Sequence, residues 1–157
     1  MNHKRPQTKR ISNRRARFDY ELGDSLIVGI ELTGAEAKSL RMGHGHLRGA
    51  YVTVNKDSEL VLINATIAGS SGIKIDESNQ TRPRKLLAKR KEIDALIEAR
   101  RQGRTIVPIE ILTASRYIKL KIAAGKGMKR YDKRQTLKAR DESRQIDRAL
   151  KNRIDKN

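Results

Sequence analysis

Residues 25–33 read Ser25-Leu26-Ile27-Val28-Gly29-Ile30-Glu31-Leu32-Thr33, with Leu26, Val28, Ile30 and Leu32 at every second position. Side chains alternate across a strand, so this spacing predicts a strand with one buried face. Gly34 breaks the run, and residues 35–43 then predict a short helix stopped by Gly43. Tyr51, Val52 and Val54 open another strand, residues 56–58 turn, and residues 59–64 return, which makes a hairpin of 50–64. Residues 105–112 and 117–124 predict two more strands around a turn at 113–115. Pro108 cannot donate to a ladder, so its strand belongs at an edge or carries a bulge.

The stretches between are less regular. Ser12 or Asn13 is placed to cap a short helix from Arg14. A short strand near Ile67 leads into a polar loop, flexible at residues 69–72. Residues 86–102 read as the longest helix of the body, with Leu86, Ile93, Leu96 and Ile97 on one stripe and Gly103 beyond its end. The fold class is mainly β with helices. Short antiparallel strands in a body of this size predict a small, oligonucleotide-binding-like β-barrel with flanking helices. Its core is drawn from Leu26, Val28, Ile30, Leu32, Leu40, Val52, Val54, Leu60, Leu62, Leu86, Ile93, Leu96, Ile109, Ile111, Ile118, Leu120 and Ile122. That core is aliphatic, because the 157 residues hold one Phe and no Trp.

Charge divides the chain. The formal net charge is +18, from 36 Lys+Arg against 18 Asp+Glu. Residues 1–17 hold seven Lys+Arg and no acid; residues 126–157 hold twelve against five acids. Three regions follow: a disordered basic arm at 1–12, a barrel domain at 13–125, and a basic tail at 126–157. In the tail Leu137, Ile146, Leu150 and Ile154 recur at rough helical spacing on a stripe too thin to bury. The tail is therefore expected to be disordered in the free chain and helical on its partner.

Basic arms flanking a milder body call for a polyanion. A membrane surface would want large apolar residues beside the charges, and the tail has few. Gly125 to Arg134 reads GKGMKRYDKR, where Tyr131 stands among Lys126, Lys129, Arg130, Lys133 and Arg134. Cations hold phosphates and a ring stacks on a base, which points to nucleic acid. There is no Cys, so disulfides and thiolate metal sites are excluded. His44 and His46 flank Gly45, without a third ligand nearby to complete a metal site. The three histidines sit in a tail and a turn, and no nucleophile setting surrounds them. No apolar run approaches the roughly 20 residues of a membrane span. The basic N-terminus lacks a signal-peptide apolar core, which points to a cytoplasmic location. The expectation is a non-enzymatic monomer without cofactor, metal or small-molecule substrate.

Several short stretches carry a family resemblance. They are Asn13-Arg14-Arg15-Ala16-Arg17, then Gly34-Ala35-Glu36-Ala37-Lys38-Ser39-Leu40-Arg41 with Gly43, and Arg82-Pro83-Arg84-Lys85-Leu86-Leu87. Lys91-Glu92-Ile93, Val107-Pro108 and Gly125-Lys126-Gly127 leading to Asp132-Lys133-Arg134 complete the set. In this order the chain resembles the SsrA-binding protein family, or small protein B, the partners of transfer-messenger RNA (tmRNA) in bacterial ribosome rescue. The resemblance implies that Glu36 contacts the elbow of the tRNA-like domain of tmRNA. As an acceptor, a Glu in a basic surface suits the exocyclic amine or ring N–H of an exposed base. Lys38 and Arg41 would hold phosphates beside it. Arg82, Arg84 and Lys85 form a second patch and Asn13, Arg14 and Arg15 a third, with Gly125, Lys126, Gly127 and Lys129 continuing the RNA surface. The resemblance places Tyr131, Asp132, Lys133 and Arg134 in the ribosomal decoding centre and the rest of the tail in the message channel. Met128 stands where the family has a basic residue, and Ala35 and Ala37 replace a larger residue and Val.

Two other classes fit a basic β domain with tails. One is a ribosomal or ribosome-assembly protein binding ribosomal RNA. The other is an RNA-processing nuclease, which would need a carboxylate cluster for Mg²⁺ beyond Asp76-Glu77.

Overall fold

The computed structural model describes residues 10–154. In chain order the elements are β1 (Ile11–Ser12), α1 (Ala16–Asp19), β2 (Tyr20–Ile30), α2 (Gly34–Arg41), β3 (Gly45–His46), β4 (Tyr51–Val54) and β5 (Leu60–Ile63). They continue as β6 (Thr66–Ile67), α3 (Glu77–Gln80), β7 (Arg84–Leu87), α4 (Arg90–Arg101), β8 (Thr105–Leu112), β9 (Lys119–Gly127) and α5 (Arg130–Ile154).

Six strands form a ring. Antiparallel pairing runs β8–β4, β4–β5, β5–β7, β7–β2 and β2–β9, and β9 returns to β8. Closure removes the free edges that an open sheet would present. Val28, Ile30, Val52, Leu60, Leu62, Leu86, Ile106, Ile111, Leu120 and Ile122 are buried within it. Leu40 of α2, Leu96 of α4, Leu47 and Ile67 join the same core. β3 and β6 form a separate two-stranded sheet.

The strand of 25–33 extends further back than its alternation showed, because Tyr20 to Leu22 pair with β9 in a second register. Pro108 sits beside a register shift in β8, between Pro108 and Glu110, so it meets the bulge condition within a paired strand. The same bulge corrects one core residue. Ile106 and Ile111 face inward on either side of it, while Ile109 is only half-buried.

Three further expectations are corrected. Residues 84–87 are a strand, where the apolar stripe predicted the start of a helix. Arg84 and Leu86 point in and Lys85 and Leu87 out, between β5 and β2. The helix starts at Arg90, with the Glu92 carboxylate accepting the Lys89 N–H at 2.8 Å. Asn13 caps no helix: its N–H donates to the Ile109 carbonyl and its side-chain amide to the Pro108 carbonyl. Of the arm at 1–12, residues 1–9 lie outside the described residues, whereas Ile11 is buried and pairs with Ile111. α5 is a helix of 25 residues, the conformation expected of the tail on a partner. Its Lys, Arg, Gln, Leu and Ala content favours that conformation locally.

Candidate nucleic-acid interface

Glu36 lies in the first turn of α2, where Thr33 caps the helix. Thr33 Oγ1 accepts the Glu36 N–H at 3.3 Å and Glu36 Oε2 accepts the Thr33 N–H at 2.9 Å. Arg82 reaches the same carboxylate twice, through Nε to Oε1 at 2.8 Å and Nη2 to Oε2 at 2.7 Å. Arg84 does so through Nε at 3.0 Å and Nη2 at 2.9 Å, both to Oε1. Five N–H contacts fill the roughly four lone-pair sites of a carboxylate. The Arg84 guanidinium also donates to the carbonyls of Ala65, Asn79, Gln80 and Arg82. Side-chain exposure is 2% for Glu36, 0% for Arg84 and 32% for Arg82.

In this arrangement the Glu36 lone pairs are taken up by Arg82, Arg84 and Thr33, and the Arg84 guanidinium is buried away from solvent. Together they tie α2 to β7 and to the turn after α3. Arg82 alone emerges at the rim. Burial would raise the Glu36 carboxyl, but the bonds from Arg82, Thr33 and Arg84 outweigh it and hold the group below the usual carboxylate range. Burial lowers the Arg84 guanidinium, whereas the bond to Glu36 raises Arg82 at the rim. The difference between the two arginines follows from their depth.

The remaining predicted residues spread over several faces. Lys38 and Arg41 are exposed on α2, and Arg41 donates to the Arg116 carbonyl at 2.7 Å. Arg14 and Arg15 line a shallow groove with His46, Leu47 and Arg48. Lys85 is exposed and paired with Glu59. Gly125 is buried in β9, where a Cβ would meet Leu22 Cδ2 at 2.9 Å and Tyr20 Cβ at 3.0 Å. Gly127, Lys126 and Lys129 are exposed. Tyr131 is 69% exposed, and its hydroxyl accepts from Gln135 at 2.9 Å. Asp132 and Arg134 are exposed, while Lys133 turns back onto α1, its ammonium 2.8 Å from Asp19.

One strip was passed over in the sequence. Ile27 pairs with Lys121, and Gly29 pairs with both Lys119 and Leu87, so these side chains share the outer face of the barrel. Ile27 and Leu87 are 51% and 54% exposed. The signal was present: both sit at outward positions of strands whose partners point in. Among the described residues, no three His, Cys, Asp or Glu side chains gather where a metal ion could be held. No helix there is long and apolar enough to cross a membrane.

A closed, cationic β-barrel with a basic helical tail has the make-up of a polyanion-binding protein. Residues 10–152 match the family described as SmpB protein, and the chain belongs to that family. An SsrA-binding protein of Macrococcus caseolyticus is 42% identical over 142 residues, covering 90% of this chain and 92% of that protein. One of Paracoccus denitrificans is 46% identical over 141 residues, covering 88% and 90%. A solved structure described as "tmRNA-SmpB: a journey to the center of the bacterial ribosome" is similar at a TM-score of 0.64 and 33% identity. It covers 82% of this chain and 94% of that one.

Proposed function

We propose that this chain is the RNA-binding adaptor of trans-translation. The barrel holds the tRNA-like domain of tmRNA, and the complex enters a stalled ribosome, where α5 occupies the empty decoding centre and message channel. The observation that carries this reading is the division of the molecule, within an SmpB family member, into a closed cationic barrel and a 25-residue basic helix that is exposed along almost its whole length. Arg14, Arg15, Lys38, Arg41, Arg82, Lys85, Lys126 and Lys129 supply phosphate contacts. Glu36 and Arg84 act beneath them as framework. Ile27 and Leu87, flanked by Lys119 and Lys121, offer an apolar surface to splayed bases or riboses. Tyr131, Asp132 and Arg134 sit at exposed helix positions, open to ribosomal RNA. The protein acts without catalysis, as a monomer, in the cytoplasm with the ribosomes. Family membership favours the adaptor over a ribosomal or ribosome-assembly protein.

The test separates the two parts. A chain ending at Met128 retains every barrel pairing. It is expected to bind tmRNA within about threefold of the full chain, since the tail's contribution there is non-specific charge. It is expected to support no tagging of peptides on stalled ribosomes. Loss of tmRNA binding with the tail would show that the division of labour is wrong.

A further inference from the structure

Lys133 belongs to the Asp132-Lys133-Arg134 triplet near the start of α5, yet it behaves unlike its neighbours. Between Lys129 and Lys151 it is the one residue that is not exposed. Its ammonium donates to Asp19 Oδ1 at 2.8 Å and lies 5.6 Å from the centre of the Phe18 ring. Asp19 also accepts the Met128 N–H on its backbone carbonyl at 2.8 Å. Two adjacent residues of α1 thus hold both the exit from β9 and the first turn of the tail. Among the described residues, no other side chain of α5 is bonded to the body.

We infer that Lys133 is a positioning residue. With Asp19 and Phe18 it clasps the root of α5 to the barrel and sets the direction in which the tail leaves, rather than touching ribosomal RNA. The ammonium already has a carboxylate and an aromatic face as partners, so a phosphate would have to displace both. Leverage makes the clasp matter. A 25-residue helix is about 37 Å long, so a small rotation at its root sweeps its far end through many ångströms. The consequence for ribosome rescue rests on the function proposed above; the clasp rests on these contacts alone.

The chain has no cysteine, so Tyr117→Cys and Leu150→Cys give unique spin-label positions on the body and on the helix, both exposed. The full chain is expected to show a narrow label-to-label distance distribution that Asp19→Asn and Lys133→Met each broaden. In unlabelled full-length protein both changes are expected to lower tagging about three- to thirtyfold, the range for a partly exposed ion pair with a cation–π contact. tmRNA affinity should stay unchanged. The exchanged pair, Asp19→Lys with Lys133→Glu, should recover both readouts relative to Lys133→Glu alone. Three results would overturn the clasp: a distribution indifferent to Asp19→Asn, tagging that depends on Lys133 but not on Asp19, or an exchanged pair worse than Lys133→Glu. A wild-type chain that fails to bind tmRNA would overturn the proposed function instead, and the distances would then judge the clasp by themselves.

Discussion

At position 36 the negative charge holds the fold together, because two guanidiniums depend on it. Glu36→Gln keeps the shape but leaves Arg84 charged, fully buried and short of a counter-ion. Removing one partner of a buried pair costs about 3–5 kcal/mol. At about 2–4 °C per kcal/mol for a chain of this size, the melting temperature should fall by roughly 6–20 °C. Stability should also depend on acid. The folded Glu36 carboxyl lies below its unfolded value of about 4.3, so its contribution is complete above that pH and is lost as pH falls through the folded value. Denaturant titrations of wild type and Glu36→Gln at pH 7 and pH 3.5 check this: the gap between them should narrow at the lower pH. An equal gap at both would mean that the charge is not what stabilises. Gly125→Ala asks the same question of a second position. Its Cβ would meet Leu22 Cδ2 at 2.9 Å and the Glu21 carbonyl at 3.2 Å. A loss of about 1–3 kcal/mol is expected, as for overpacking, with RNA affinity per folded molecule unchanged. Residue types alone could not separate these roles. Arg82 and Arg84 look alike in sequence, and only the inward turn of every second residue on β7 sends one to the rim and the other into the core.

At the scale of elements, the hairpin of β4 and β5, the core face of β2 and helix α2 were legible because each carries its period without interruption. Residues 84–101 were not. Leu86 belongs to a strand of period two, and Ile93, Leu96 and Ile97 to a helix of period 3.6. Run together across Ala88 and Lys89, they give an apparent single stripe. The pairing partners that decide the matter, Leu60 and Ile30, lie 26 and 56 positions away in the sequence. Ile11 escaped for a similar reason: its burial comes from pairing with Ile111, a hundred residues on. α5 presents the opposite case, an element readable locally that has almost no tertiary contact. Its length permits a helix in isolation, but with only Lys133 docked its stability rests mainly on propensity. Amide hydrogen exchange should therefore divide the protein sharply. Barrel amides should be protected to the level of global unfolding, whereas those from about Leu137 onward should show only the small, roughly tenfold protection of a helix without tertiary contacts. Strong protection out to Leu150 in the free protein would refute this account of the tail.

For the molecule as a whole, closure of the barrel matters because it leaves the outer surface free to carry charge. Lys119 and Lys121 lie on β9, paired on both sides with β2 and β8, and Lys85 lies on β7 between β5 and β2, so they can stand outward beside Ile27 and Leu87 without inviting edge pairing. Association with RNA should then be governed by release of counterions. If the barrel neutralises roughly six to eight phosphates, a plot of log affinity against log salt should have a slope of about −4 to −7. On the proposed division of labour, the tail adds cations without adding recognition of the folded RNA. A chain ending at Met128 should therefore stay within about threefold of the full chain's line and flatten it by less than about half a unit. The ratio of affinities for tmRNA and for an equal-length duplex RNA should survive the truncation. Both slopes can be read from one titration series between about 50 and 300 mM salt, a range over which a contact count of this size changes affinity by several powers of ten. A preference for tmRNA that vanishes with the tail would relocate specificity to α5. Equal affinity for both RNAs in the full chain would reduce the barrel to a general RNA-coating surface. A preference that persists at every salt concentration, with the slope set by the barrel, is what a rigid cationic surface reading RNA shape requires.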